Sequence, residues 1–226
     1  MGYAKHGYPW VIGMALITAA SYYWMTQQHG WVQLVLLFAI AIPFSILTWF
    51  VFYFFRDPDR IPDISDHPEK SVVSPADGRL CAVEEEAGNL AVYIEMHASN
   101  VHVTRAHTDG IVKRIQRVAG KHHPIYLLKK TSNSESKAVR KNARVIIEME
   151  DNLGRPFIYQ MICGKMARRA VPYVKEGQVI TKGQKMGIIQ FGSMVKITLP
   201  GTKYQMRAKL SDNVFGGRTI ICDRID

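Results

Sequence analysis

Cysteine is scarce in this chain, and what is missing around it excludes several chemistries. Cys81, Cys163 and Cys222 are odd in number, and no two form a C-x-x-C pair. They offer neither a disulfide framework nor a zinc signature, which suits a reducing compartment. The serine-hydrolase elbow G-x-S-x-G is absent; the nearest approach is F-G-S-M-V around Ser193. Also lacking is the H-x-x-x-D with H-x-H pattern of membrane-anchored zinc peptidases, so no metal site is expected. The formal net charge is +10, yet no aromatics interleave with the basic residues and no nucleic-acid reading motif is present. Nucleic acid is therefore not the expected partner.

Charge itself is missing from two stretches, "YPWVIGMALITAASYYWM" (8–25) and "WVQLVLLFAIAIPFSILTWFVFYFF" (31–55). The second is long enough to span a hydrocarbon core of roughly 30 Å with some tilt. The first is shorter and carries Ser and Thr. Trp10, Tyr22, Tyr23, Trp24, Trp31, Trp49 and Tyr53 lie near the run ends, as interfacial anchors do. The connector "TQQHG" permits only a tight helical hairpin. Lys5 precedes the first run, Arg56 and Arg60 follow the second, and the connector has no Lys or Arg. By the positive-inside rule both ends lie in the cytoplasm. No A-x-A site precedes the second run, which argues against a cleaved signal peptide. His6 stands where N-myristoylation would need Ser or Thr. The expectation is a membrane-associated hairpin over 1–55 on the inner, cytoplasmic membrane, either spanning it or lying in its interface. Anionic lipid then accounts for the basic charge.

"RDPDRIPDISDHPEK" reads as a linker over 56–70. From 71 to 226 come short alternating runs broken by turn signals, such as "LAVYIEMHA", "ARVIIEMED" and "PFIYQMICG". Alternation of apolar with polar is the period of a half-buried strand. The predicted fold is mostly β: a compact, antiparallel, barrel-sandwich-like domain after the hairpin. "HHPIYLLKKTSNSESKAVRKN" (122–142) reads as an excursion or basic loop. In "KEGQVITKGQKMGIIQFGS" (175–193), Gly177, Gly183 and Gly187 have the rhythm of lipoyl and biotinyl carrier domains. Lys185 lacks the sequence setting of a modified carrier lysine and reads as a solvated turn residue.

Three places could carry chemistry. Gly192-Ser193 is either a bulge with a satisfied hydroxyl or a serine able to attack the preceding carbonyl, which glycine leaves unshielded. In "SPADG" (74–78), Asp77 is either a turn residue or a carboxylate that orients a histidine. "MHASNVHVTRAH" spaces His97, His102 and His107 by five, which on a strand alternates faces and disfavours a shared metal. His102, flanked by Val101 and Val103, faces a cleft or solvent if the valines are in the core, where acid–base work is open to it.

In order along the chain, "FFRDPDRIP" (54–62), "SPADG" (74–78), "NVHVTR" (100–105), "GKMARRAV" (164–171), "EGQVITKGQKMGIIQFGS" (176–193) and "VKITLP" (195–200) resemble the pyruvoyl-dependent phosphatidylserine decarboxylases, in their short bacterial and archaeal branch. The resemblance implies a proenzyme that cleaves itself between Gly192 and Ser193 into fragments 1–192 and 193–226, which remain together as a heterodimer. It implies that Ser193 becomes a covalent pyruvoyl group, needing no metal, which forms a Schiff base with phosphatidylserine and releases phosphatidylethanolamine. Matched to the family's motifs, Asp77 and His102 support proton transfer. Longer relatives carry a second histidine where this chain has Arg105, so their Asp-His-Ser cleavage set does not carry over intact. Met194 stands where many short-branch relatives have Arg. Arg168 and Arg169 are candidates for the substrate phosphate on charge alone. Two other readings stay open: a decarboxylase of a related serine lipid such as archaetidylserine, and a non-catalytic, membrane-anchored carrier-like module. A homo-oligomer is compatible with all three.

Overall fold

The computed structural model describes residues 2–63, 68–125, 137–165, 167, 169–191, 193–201 and 203–225. The chain forms two compact units, Met1–Asp59 and Arg60–Asp226, divided within the 56–70 stretch.

In the first unit, β1 (Gly2–Tyr3) pairs antiparallel with β2 (Arg56–Asp57), Gly2 opposite Asp57. Between them lie α1 (Tyr8–Thr26) and α2 (Trp31–Phe54), turned by Gly30 at a φ of 63°. Leu37–Ala41 winds as a π-helix just before Pro43. A proline has no N–H to close the preceding turn, and a widened turn accommodates its ring. Ser45 and Thr48 return their hydroxyls to the carbonyls of Ala41 and Phe44. Across the hairpin, Thr18 and Thr48 share a 2.8 Å hydrogen bond and Ser45 donates to Tyr22. Such bonds hold helices together where an apolar solvent supplies no hydrophobic drive. Among the described residues, α2 is the one helix long and apolar enough to cross a membrane.

The second unit is mostly β, as the alternation predicted. Its strands are β3 (Ser71–Val73), β4 (Gly78–Glu86), β5 (Asn89–Met96), β6 (Val103–Arg105) and β7 (Gly110–Val118). Then follow β8 (Arg144–Glu150), β9 (Pro156–Cys163), β10 (Ala170–Pro172), β11 (Val179–Ile180) and β12 (Lys185–Ile189). The last are β13 (Ser193–Leu199), β14 (Tyr204–Met206), β15 (Asn213–Val214) and β16 (Ile220–Arg224). A curled antiparallel sheet orders them β11-β7-β8-β9-β13-β5-β4-β15, and two three-stranded sheets, β10-β12-β6 and β14-β16-β3, complete the domain.

Residues two apart share a face of a strand. Val195, Ile197 and Leu199 of β13 therefore enter the main core with Val92, Ile94, Tyr159 and Met161. The opposite parity builds a second cluster, in which Met194 meets Tyr93, Ile162, Ile125 and Val139. Those last two belong to the 122–142 excursion, so part of it is structural cover. Asn142, fully buried, ties its base down: Nδ2 donates to the carbonyls of His123 and Cys163, and Oδ1 accepts from the His123 amide. Lys185 opens β12 opposite Arg105 and is half-buried, which corrects its reading as a solvated turn residue.

Candidate active site

Ser193 is the first residue of β13, opposite Met96 of β5 on one side and Cys163 of β9 on the other. By parity all three face the main core, and Met96 and Cys163 pack in it. Ser193 is 1% exposed, and its Oγ donates to Met96 Sδ at 3.1 Å. Burial pushes the Cys163 thiol up to about 11, despite a hydrogen bond from the Ala170 backbone. It therefore stays protonated, a poor nucleophile beside the serine. Two residues earlier, Phe191 takes a φ of 64°, a left-handed conformation that costs a bulky residue of order 1 kcal/mol or more. Gly192 lies outside the described residues.

His102 is fully buried between Val101 and Val103, which are buried too, rather than facing solvent. Its Nδ1 lies 2.9 Å from the Asn100 carbonyl oxygen, so Nδ1 is the donor of that hydrogen bond. The His102 carbonyl accepts from the Ile189 amide, and Val103 pairs with Ile188. These bonds set the histidine alongside the segment leading to Ser193. The other two histidines of the motif go elsewhere: His97 is exposed, and His107 is buried against Phe157 and Tyr159. Among the described residues, no three His, Cys, Asp or Glu side chains group as metal ligands would.

Asp77 ends the "SPADG" turn just before β4 and is 4% exposed. Its Oδ2 accepts from Arg60 Nη2 at 2.7 Å, and its Oδ1 from the Gly216 amide at 2.8 Å. Gly216 must be glycine, because a Cβ there would stand 2.9 Å from the Ala76 backbone. Arg105 is buried; its amide donates to the Pro75 carbonyl and its Nη1 to the Gly183 carbonyl at 3.1 Å. The residue at the second-histidine position thus buttresses the turn that carries Asp77. Arg169 is exposed, and its carbonyl accepts from the Gln190 amide, placing it next to the segment before Ser193. Arg168 lies outside the described residues.

In these contacts Ser193, His102 and Asp77 are each held by neighbours of their own. Sequence reasoning missed three of those neighbours: Met96, Arg60 and Gly216. Arg60 sits inside the quoted "FFRDPDRIP" motif, a signal that was available. Met96 and Gly216 gain their roles from strand register and a chain crossing.

A mostly antiparallel β domain with a buried serine at the head of a central strand, after an apolar helical hairpin, defines the class. The sequence profile described as Phosphatidylserine decarboxylase matches residues 47–222. A phosphatidylserine decarboxylase proenzyme of Magnetococcus marinus is 35% identical over 227 residues, covering 96% of this chain and 92% of the relative. The protein of that name from Ralstonia pickettii is 32% identical, covering 97% and 94%. A Methanococcoides burtonii protein, provisionally named an archaetidylserine decarboxylase proenzyme, is 34% identical over 178 residues, covering 79% and 77%. This chain belongs to the phosphatidylserine decarboxylase family.

Proposed function

We propose that the chain is a membrane-bound proenzyme that cleaves itself between Gly192 and Ser193 and then decarboxylates phosphatidylserine to phosphatidylethanolamine. One observation carries the reading: Ser193 stands buried at the head of β13, directly after a segment whose Phe191 is held in a left-handed conformation. A buried hydroxyl two residues after a strained backbone position suits attack on the preceding carbonyl. Ser193 Oγ bonds to the Gly192 carbonyl carbon as the Gly192–Ser193 C–N bond breaks, giving an ester. Loss of the Ser193 α-proton and cleavage of its Cβ–O bond free Gly192 as a carboxylate. The dehydroalanine left at position 193 takes up water and releases ammonia, becoming a pyruvoyl group.

That group supplies an electrophilic carbonyl, which ordinary side chains lack, to condense with the serine amine and draw electrons as carbon dioxide leaves. The protein's share is enclosure and proton transfer. Burial at the core face keeps position 193 out of bulk solvent, and Cys163, kept as a thiol, does not compete for an electrophile there. His102, with its Nδ1 proton given to Asn100, offers Nε2 as a base. Asp77, held in an ion pair, lends acid–base support, and Arg169 offers a cation to the lipid phosphate. The two fragments have reason to stay together: β13 of the smaller lies between β9 and β5 of the larger. The hairpin over 1–55 anchors the chain, with the 71–226 catalytic domain in the cytoplasm.

Mass spectrometry of purified protein tests this directly. Two fragments are expected, the smaller beginning at position 193 with a blocked, pyruvoyl terminus, while Ser193→Ala stays whole and inactive. Intact wild-type chain from active cells would refute it. The similarity to the Methanococcoides protein supports archaetidylserine as a second substrate reading. Assays with serine headgroups on acyl and on isoprenoid ether lipids separate the two.

A further inference from the structure

The geometry points to Arg60 as a positioning residue for Asp77, and hence as a determinant of how fast the proenzyme matures. The inference rests on the self-cleavage reading above. A carboxylate as buried as that of Asp77 needs charge and hydrogen bonds to offset lost hydration. Among the described residues, separate stretches of chain supply one of each kind: the Arg60 guanidinium at 2.7 Å on Oδ2 and the Gly216 amide at 2.8 Å on Oδ1. With both oxygens engaged, rotation of the carboxylate about its Cβ–Cγ bond is blocked.

The two stretches are fastened to each other as well. The Asp63 amide donates to the Arg218 carbonyl at 2.9 Å, and the Asp63 carboxylate pairs with the Arg218 guanidinium at 3.1 Å. The Phe215 ring lies 5.5 Å from the Arg60 guanidinium carbon, within range of a cation–π contact. Arg60 is itself mostly buried, its side chain 13% exposed. The Arg60 and Gly216 donors to Asp77 therefore come from one assembled clamp. Gly216 cannot be widened without pushing the Ala76 backbone, which places the clamp tightly on the turn carrying Asp77. A surface ion pair would be worth little; this one is enclosed and sits on a residue that the family's motif puts in the maturation chemistry. Arg60 acts through Asp77: its contacts among the described residues are to Asp77 and Phe215, not to Ser193.

Full-length wild type, Arg60→Gln, Arg60→Lys, Asp77→Asn and the Arg60→Gln/Asp77→Asn double variant are expressed with an inducible pulse. Conversion to the two fragments is followed by gel and mass spectrometry, with circular dichroism as the check on folding. Arg60→Gln is expected to mature up to roughly 100-fold more slowly, the loss that a misplacement of about 1 Å produces. Arg60→Lys, which keeps the charge but not the planar fork, should fall between Gln and wild type. Adding Arg60→Gln to Asp77→Asn should slow maturation no further, because its target is already gone. KM for phosphatidylserine in whatever fraction matures should stay at the wild-type value. If Arg60→Gln does not fold, Arg60→Lys decides alone. Either variant maturing at the wild-type rate overturns the proposal, as does a raised KM with normal maturation, which would make Arg60 a substrate ligand. Additive loss in the double variant overturns it too. Failure of wild type to cleave at all would instead sink the self-cleavage reading.

Discussion

His107 should make the β domain acid-labile well above the pH at which carboxylates protonate. The ring is 1% exposed, packed edge-on to Phe157 at 4.8 Å and stacked on Tyr159 at 5.9 Å. Neither nitrogen has a hydrogen-bond partner among the described residues. Burial, with the nearby Lys182 charge adding to it, pushes its pKa down from 6.5 to about 3. The folded-state pKa is depressed, so between those values the unfolded chain binds more protons than the folded one. Stability is therefore fully present above the unfolded pKa and is lost as pH falls toward the folded one. From 6.5 and about 3, the loss on going from pH 7 to pH 5 is about 2 kcal/mol. His107→Leu removes both the titration and two buried unsatisfied nitrogens, at the expense of the ring contacts. At pH 7 the removed desolvation penalty, ~1–3 kcal/mol, outweighs aromatic contacts of ~0.5–1.5 kcal/mol, so the variant should be more stable by about 1 kcal/mol. At pH 5 its advantage should grow to about 3 kcal/mol. The assay is urea unfolding of Ser193→Ala and Ser193→Ala/His107→Leu in detergent, a background chosen so that one covalent species unfolds. Burial pushes Glu86 and Asp151 up, but hydrogen bonds from Lys196 and Tyr93, and from Arg155, outweigh it and leave both below the usual carboxylate range. Their stability is lost only at lower pH, below the window in which His107 acts. Unfolding midpoints that fall in parallel from pH 7 to pH 5 would refute the reasoning.

Two further substitutions test other parts of the structure. Met96→Leu keeps the core volume but removes the sulfur that accepts from Ser193, freeing the hydroxyl among its three staggered rotamers. Maturation should slow by a factor of about 3, read from the time course of fragment appearance. A loss far above tenfold would mean that Met96 does more than orient the hydroxyl. Asn142→Ala removes three hydrogen bonds inside the protein and strands the Cys163 carbonyl beside Ser193. It should destabilise the domain by about 2–4 kcal/mol in the same unfolding assay, with the backbone at His123, which Asn142 holds, newly open to limited proteolysis.

What could be read from the sequence follows a physical division. Alternation in "LAVYIEMHA" and "ARVIIEMED" announces β5 and β8 because a half-buried strand shows its two faces in its own residues. An uncharged run of 25 residues announces α2 for the same reason. Ser193 was legible only through the ordered motifs around it, since one glycine and one serine in a strand carry no local signal. Contacts made by strands far apart in sequence are another matter. Met96 meets Ser193 because β5 and β13 pair in one register, and a shift of one residue would turn both side chains to the other cluster. His102 looked set to face a cleft because its flanking valines occupy one strand face. The chain enters β6 only at Val103, and both valines and the histidine end up buried.

Arg60 shows most clearly why the site was harder to read than the fold. As a charge after an apolar run it counted toward membrane orientation, and that count is equally satisfied by any Lys or Arg nearby. Its pairing with Asp77 spans 17 residues and depends on a third segment, 215–218, being in place to supply the Gly216 amide and the Phe215 ring. A motif such as "FFRDPDRIP" records that the arginine matters without recording to what. The buried carboxylate supplies the missing half: a charge withdrawn from water requires a cation fixed beside it, and the chain places Arg60 there. Sequence motifs therefore mark positions under constraint, while burial and charge identify the partner that imposes it.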